Sequence, residues 1–148
     1  MNTERQLTAL LADSGVVWQR KMGEIRFRLT SGAMTWEMAC RCLDDQVLLY
    51  GRYPFRIPAD RRGRALEACC EINGQVIRGG MYLTREGRAV FRTWAGMGDG
   101  YMARENLAQA LEYNMAVIIR FWGRMAPDIC MSEESLPGSS KIDLESKG

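Results

Sequence analysis

The sequence predicts an α+β fold in which helices cover one face of an antiparallel sheet of about five strands. Apolar and polar side chains alternate along residues 24–29 and 34–42, which is typical of strands with one buried face. Short connections separate successive strands, as in an antiparallel meander. Amphipathic segments precede, interrupt and follow the strands. The expected architecture is therefore a two-layer sandwich with the order α-β-β-β-α-β-β-α.

Three helices are expected. The first covers residues 3–14, where Thr3 and Gln6 form a capping-box pattern. The second covers residues 59–73, and the third is one long helix over residues 102–125. The inward face of the second helix is expected to hold Ala65, Leu66, Cys69 and Ile72.

The strands follow from the alternating pattern. Beyond the two segments above we expect a third strand at 47–53, a hairpin of 81–84 with 89–95, and a candidate lead-in strand at 16–22. On the last strand Trp94 alternates with Phe91, so one of these two aromatic side chains is expected to point away from the core.

Composition divides the chain into a domain, residues 1–126, and an acidic disordered tail, residues 127–148. The tail holds five acidic and two basic residues, a net charge of −3, which leaves +5 of the total +2 for the domain. The segment has too little apolar surface to offset its ordering entropy. The N-terminus lacks a signal-peptide pattern, and every apolar run is too short to span a membrane, so we expect a cytoplasmic protein.

The 148 residues contain no histidine, which excludes Ser-His-Asp and Cys-His relays. We therefore expect no enzyme, no catalytic residues and no cofactor. Zinc knuckles place their cysteines two to four residues apart in turns, whereas here a C-x-C pattern lies within a strand. The cysteines are expected to pack in the core as small apolar side chains, without a metal. Those considered are Cys40, Cys42, Cys69 and Cys70.

An arginine cluster is the densest charge feature, with Asp60 the only acid among its members. Three of its arginines lie at the start of the second helix, where the macrodipole disfavours cations. The cluster could bind a phosphate, a nucleic acid or an acidic protein, or it could be a solvated helix face. Nucleic acid is the less favoured ligand, because no aromatic residues suited to base stacking interleave the arginines. The cluster comprises Arg52, Arg56, Arg61, Arg62 and Arg64.

The order of elements and several local segments resemble the YbjN-like domain family over about residues 5–126. The segments include 23–27 before the Trp36 strand, 48–50, 53–58, Asn73, 80–83 and 86–92. Family members often carry two asparagines near the helix-to-strand junction, and here only Asn73 is clear. The family is described as proposed bacterial sensory transduction regulators, and its fold is similar to type III secretion chaperones. The resemblance implies a non-catalytic, dimeric, chaperone-like binder of other polypeptides.

The leading hypothesis is a cytoplasmic interaction or adaptor protein, a sensory transduction regulator or a chaperone-like binder, that forms a homodimer and binds an unknown protein partner. Binding could occur by strand addition to a sheet edge or on a surface of methionine and tryptophan side chains. The residues expected to contact the partner are Trp94, Arg92, Tyr82, Arg61 and Arg62. The alternative is a nucleic-acid or phosphate-ligand binder that uses the arginine cluster.

Overall fold

The structure, a computed structural model, describes residues 2–98 and 102–126; the expected tail at 127–148 lies outside them. A single 3-10 turn, Ala59–Arg61, precedes the second helix. In chain order the elements are α1 (Thr3–Asp13), β1 (Trp18–Lys21), β2 (Glu24–Ser31), β3 (Met34–Cys42), β4 (Gln46–Arg52), α2 (Arg62–Asn73), β5 (Gly80–Leu83), β6 (Ala89–Gly96), α3 (Ala103–Arg120) and α4 (Trp122–Met125).

The strands form one antiparallel sheet with the order β1-β2-β3-β4-β6-β5. The candidate lead-in strand is β1, so the described part of the chain has six strands where about five were expected. The turn between β1 and β2 is formed by Met22 at φ 54° and Gly23 at φ 79°. Two successive positive φ values match the twist of paired strands, which explains why this short hairpin forms. The predicted α+β architecture is confirmed.

The core lies between the sheet and its helices. Alternate strand residues, among them Phe27, Trp36, Leu49 and Phe91, pack with apolar side chains of α1, α2 and α3 in one buried cluster. Four of the eight methionines in the described residues belong to this core, and Met34 and Met115 pack against it. Met38, Met81, Met97 and Met125 are at most 3% exposed, whereas Met22 is 83% and Met102 is 45% exposed. Methionine therefore fills the interior more than it provides an adaptable surface.

Helix α1 begins differently from the expectation. Asn2 is the N-cap, and its side-chain oxygen accepts the Arg5 backbone N–H at 3.0 Å. Thr3 lies inside the helix, is buried, and donates its hydroxyl to the Leu43 carbonyl at 2.7 Å. The capping-box assignment to Thr3 was wrong, because asparagine supplies the cap one residue earlier and leaves the threonine hydroxyl for a tertiary contact.

Two further helix expectations require correction. Leu66 is 53% exposed, because the inward stripe of α2 runs through Ala65, Ala68, Cys69 and Ile72 at spacings of three and four residues. The expected single helix at 102–125 is divided, since Phe121 leaves helical geometry at φ −101°, ψ 16° and α4 begins at Trp122.

Asn114 fastens α3 to the sheet. Its buried side-chain amide donates to the Phe91 carbonyl at 3.0 Å, the Thr93 hydroxyl at 3.1 Å and the Leu49 carbonyl at 3.3 Å. The helix can approach this closely because Gly51 lies opposite it; a Cβ there would be 2.4 Å from Asn114 Oδ1. These contacts hold α3 on one face of the sheet, and the described helices leave the other face uncovered.

Candidate functional site: the open face of the sheet

The face of the sheet away from the helices is called the open face here. Cross-strand neighbours share a face, so the pairings Leu48 with Trp94, Tyr50 with Arg92, and Val90 with Tyr82 place these side chains on it together. Along β6, Ala89, Phe91, Thr93 and Ala95 are turned towards the helices, whereas Arg92 and Trp94 are exposed on the open face and Val90 is buried there. The register of β4, β5 and β6 thus builds one continuous surface.

Aromatic side chains form the most exposed apolar part of this face. Trp94 is 46% exposed and Tyr82 is 41% exposed, while Phe91 on the opposite face is fully buried. The expectation that one of the aromatics Phe91 and Trp94 points outward is therefore confirmed. Tyr50, half-buried on β4, lies opposite Arg92. Partial burial, with the neighbouring Tyr50, raises the pKa of the Tyr82 hydroxyl.

Two carboxylates on the open face are engaged in ion pairs. Glu24 contacts Arg26 at 2.9 Å and Arg52 at 3.4 Å, and Arg52 also contacts Glu37 at 3.2 Å. The side chain of Glu24 is only 12% exposed, which reduces solvent screening of these pairs. The four residues join β2, β3 and β4 across the surface and neutralise one another.

Four further cations on this face have no carboxylate partner among the residues that the structure describes. Lys21, Arg28, Arg41 and Arg92 are exposed, and within residues 2–98 and 102–126 none of them forms an ion pair. The strand residues of the open face therefore comprise six basic and two acidic side chains, a net charge of +4. Such a surface attracts anionic groups.

The structure brings together three of the five residues expected to contact a partner: Tyr82, Arg92 and Trp94. The other two, Arg61 and Arg62, lie at the start of α2. Arg62 donates to the carbonyl oxygens of Glu86 at 2.9 Å, Ile57 at 3.2 Å and Arg85 at 3.3 Å. Its guanidinium thus holds the β5–β6 turn against the segment before α2.

The alternative arginine cluster is spread over the structure. Arg52 lies on the open face with its two carboxylates, and Arg62 is bonded to backbone carbonyls. Arg56 and Arg64 are exposed on the segment before α2 and on α2 itself. The guanidinium groups of Arg52 and Arg62 are therefore already occupied by contacts within the protein.

The cysteines divide by burial. Burial is the main cause that raises the thiol pKa of Cys40, of Cys42, and of Cys69, the last to about 11. Cys70 is exposed on α2, so the expectation that it packs in the core was wrong, because it lies outside the inward stripe of that helix. Raised pKa values keep the first three as thiols, which are weak nucleophiles and weak metal ligands. In the described part of the chain, no three cysteine, aspartate or glutamate side chains are grouped so that they could hold a metal ion.

The two edges of the sheet differ. At β5, Asn73 occupies the outer edge, since its side chain accepts the Met81 N–H at 2.7 Å and donates to the Met81 carbonyl at 3.0 Å. An added strand could not use those groups. At the other edge β1 pairs with β2 only from Glu24 to Phe27, so residues 28–31 of β2 extend beyond it. Strand addition is therefore obstructed at β5.

Sequence reasoning missed Tyr50, Lys21, Arg28 and Arg41 as members of this surface. Alternation along their strands already separated them from the buried residues. It did not show which strands would be neighbours, and the pairing of β4 with β6 is what places Tyr50 beside Arg92.

No protein-family model matches the chain, and no curated protein matches it. A solved structure does match: YbjN from E. coli, described as a proposed transcription regulator, with a TM-score of 0.63. The alignment covers 82% of this chain and 92% of YbjN at 14% sequence identity. The described helices include none that is long and apolar enough to cross a membrane.

The fold and the open face together define a two-layer α+β protein with one uncovered, basic and aromatic sheet surface. This chain has a YbjN-like fold, as its resemblance to that family predicted.

Proposed function

We propose that this chain is a non-catalytic cytoplasmic interaction protein, a regulator or chaperone-like adaptor, that holds part of a protein partner on the open face. The exposure of Trp94 and Tyr82 beside Arg92 is the observation that carries the proposal. Tryptophan, tyrosine and arginine dominate the binding energy of protein interfaces, whereas most exposed side chains contribute little.

The fold supports a regulatory role. YbjN is described as a proposed transcription regulator, and the family that the sequence resembles is described as proposed sensory transduction regulators. The family resemblance also implies a homodimer, which sedimentation velocity at micromolar concentration would test. A monomer at those concentrations would remove the dimer from the proposal and leave the open face unaffected.

The chemistry of the chain supports binding over catalysis. It has no histidine, and the thiols of Cys40, Cys42 and Cys69 have raised pKa values. General acid–base and thiolate catalysis need groups whose pKa lies near the working pH. The open face itself presents arginine and aromatic side chains, which are suited to contact and not to proton transfer.

Affinity capture with paired variants tests the proposal. Tagged wild-type chain would be compared with the double variant Arg92→Gln/Trp94→Ala, in nuclease-treated lysate at low and moderate salt. The control is Arg64→Gln/Leu66→Ala, which makes similar changes at exposed positions of α2. We expect a stoichiometric protein that the control retains and the open-face variant loses. Retention by the open-face variant would contradict the proposal.

The nucleic-acid or phosphate alternative makes a different prediction in the same experiment. Binding through the arginine cluster would be lost with Arg64→Gln/Leu66→Ala, or on nuclease treatment, and would weaken steeply with salt. Arg62 argues against that alternative, because three backbone carbonyls already accept hydrogen bonds from its guanidinium.

A further inference from the structure

We infer that the occupant of the open face is an acidic polypeptide segment of the partner, bound with an apolar side chain on Trp94 and carboxylates on Arg92 and Arg41. This inference rests on the proposed function and names the chemistry of the partner. It is drawn from the distribution of charge and aromatic side chains over the face.

The net positive charge of the open face favours a ligand with acidic side chains. The two carboxylates, Glu24 and Glu37, are occupied by Arg26 and Arg52, and four exposed cations lie on the same face without an ion pair among the described residues. A basic ligand would be repelled by these four cations, whereas the carboxylates of an acidic ligand would form ion pairs with them. Complementary charge also accelerates association and rejects unsuitable partners.

The register places the cations around the aromatic anchor. Arg41, Leu48 and Trp94 are successive neighbours across β3, β4 and β6, so the ends of this row are about 10 Å apart at the usual strand spacing. Arg92 precedes Trp94 by two residues on β6 and lies on the same face, about 7 Å away along the strand. An extended peptide has side chains at comparable intervals, so one apolar and two acidic side chains can be accommodated at once.

A polypeptide fits this face better than a nucleic acid. Every nucleotide carries a phosphate, so a strand crossing the sheet would bring negative charge close to Glu24 and Glu37. A peptide can place uncharged residues opposite those carboxylates. Tyr50, beside Arg92 on the neighbouring strand, is half-buried, so among the described residues of this face Trp94 and Tyr82 are the aromatic side chains well exposed for stacking.

Fluorescence anisotropy with defined probes tests the inference. The main probe is a fluorescein-labelled twelve-residue peptide in which Glu and Leu take turns at every second position with Ser between them, so that an extended chain presents both to one face. The matched probe replaces each Glu with Gln, and a labelled twelve-nucleotide oligothymidylate represents nucleic acid. The proteins are the full-length wild type, Arg41→Gln/Arg92→Gln, Trp94→Ala, and the control Arg5→Gln/Arg64→Gln, whose arginines are exposed on α1 and α2.

The expected result is binding of the acidic peptide that Arg41→Gln/Arg92→Gln weakens at least about fivefold and Trp94→Ala at least about tenfold. The helix-side control and wild type should bind equally. The glutamine peptide should bind at least about tenfold more weakly, and 300 mM salt should reduce the affinity of the acidic peptide. Circular dichroism of each variant confirms that it is folded.

Other outcomes overturn the inference in distinguishable ways. Equal binding of the glutamine peptide, still sensitive to Trp94→Ala, would keep the open face as a docking surface and remove the requirement for acid. Tighter binding of the oligothymidylate would replace the polypeptide with nucleic acid. Weakening by Arg5→Gln/Arg64→Gln would move the site to the helices. Absence of binding to both peptides at 0.5 mM would overturn the acidic occupant, while paired affinity capture decides the proposed function independently.

Discussion

Gly51 occupies the point where α3 comes closest to the sheet. A Cβ at this position would lie 2.4 Å from Asn114 Oδ1 and 3.0 Å from the Ile118 side chain. Both neighbours are fully buried, and Asn114 is held by hydrogen bonds to three acceptors. The glycine therefore sets the distance between the two layers.

Gly51→Ala is expected to lower the free energy of unfolding by about 1–3 kcal/mol, because overpacking here moves a bonded side chain. Urea denaturation measures it. The control Gly96→Ala, with nothing within 4 Å of the added Cβ, should stay within about 0.5 kcal/mol. Adding Asn114→Ala to Gly51→Ala should cost less than the sum of the single changes. Unchanged stability of Gly51→Ala would refute the close contact.

Cys69 provides a pH-dependent prediction. Burial raises its pKa from 9.0 to about 11, so at pH 7.5 it holds about 100-fold less thiolate than an unperturbed thiol. We expect iodoacetamide to modify the exposed Cys70 before Cys69, as mass spectrometry would show, and the Cys69 rate to rise until about pH 11. The folded chain holds this proton more tightly than the unfolded chain. The associated stability is therefore present below about pH 9 and is lost as pH rises towards 11. Equal modification rates at pH 7.5 would contradict this assignment.

At the scale of the elements, Asn73 joins the end of α2 to the edge strand β5. It makes two hydrogen bonds to the backbone of Met81, at 2.7 and 3.0 Å. These bonds occupy groups that an edge strand otherwise presents to other chains. In the sequence, Asn73 stood out only through the family resemblance. The structure shows that its side chain binds the backbone of the edge strand β5.

Asn73→Ala should cost about 1–2 kcal/mol and speed hydrogen exchange at the Met81 amide, whose N–H loses its acceptor. Hydrogen-exchange mass spectrometry of a peptide spanning β5 measures this. The control Asn106→Ala removes a side chain that donates one bond, to Gly96 at 3.1 Å, and should leave β5 unchanged. If the amides of β5 exchanged as slowly in Asn73→Ala as in the wild type, the proposed role of Asn73 in protecting the β5 edge would be wrong.

Arg62 belongs to the same scale, because it ties the start of α2 to the β5–β6 turn. Arg62→Gln is expected to lower stability by about 1–2 kcal/mol through lost bonds to three carbonyls. Arg64→Gln, an exposed neighbour on the helix, is the control in thermal denaturation. Unchanged stability of Arg62→Gln with loss of the partner would instead support a direct contact role for Arg62.

Local patterns predicted most elements, and tertiary contacts decided the rest. Alternation located the strands, and the stripe through Ala65, Cys69 and Ile72 located α2. The division at Phe121 and the exposure of Leu66 depend on how helices meet the core. For the site, alternation predicted the outward aromatic on β6. Membership of Tyr50 and Arg41 required the strand order, which periodicity does not encode.

Across the whole molecule, charge is distributed by face as well as by position along the chain. The total of +2 conceals a sheet surface whose strand residues carry +4. Helices cover the other face, so the two layers have different roles. One layer buries the apolar core, and the open face presents Trp94 and Tyr82 among cations.

Site-specific photo-crosslinking tests the claim that the open face binds the partner most directly. Benzoylphenylalanine would be placed at Tyr82, 41% exposed on the open face, and separately at Leu66, 53% exposed on α2. The account predicts that irradiation in cells links one partner polypeptide to position 82 and not to position 66. Cross-linking at position 66 without any at position 82 would contradict it and place the interaction on the helical layer.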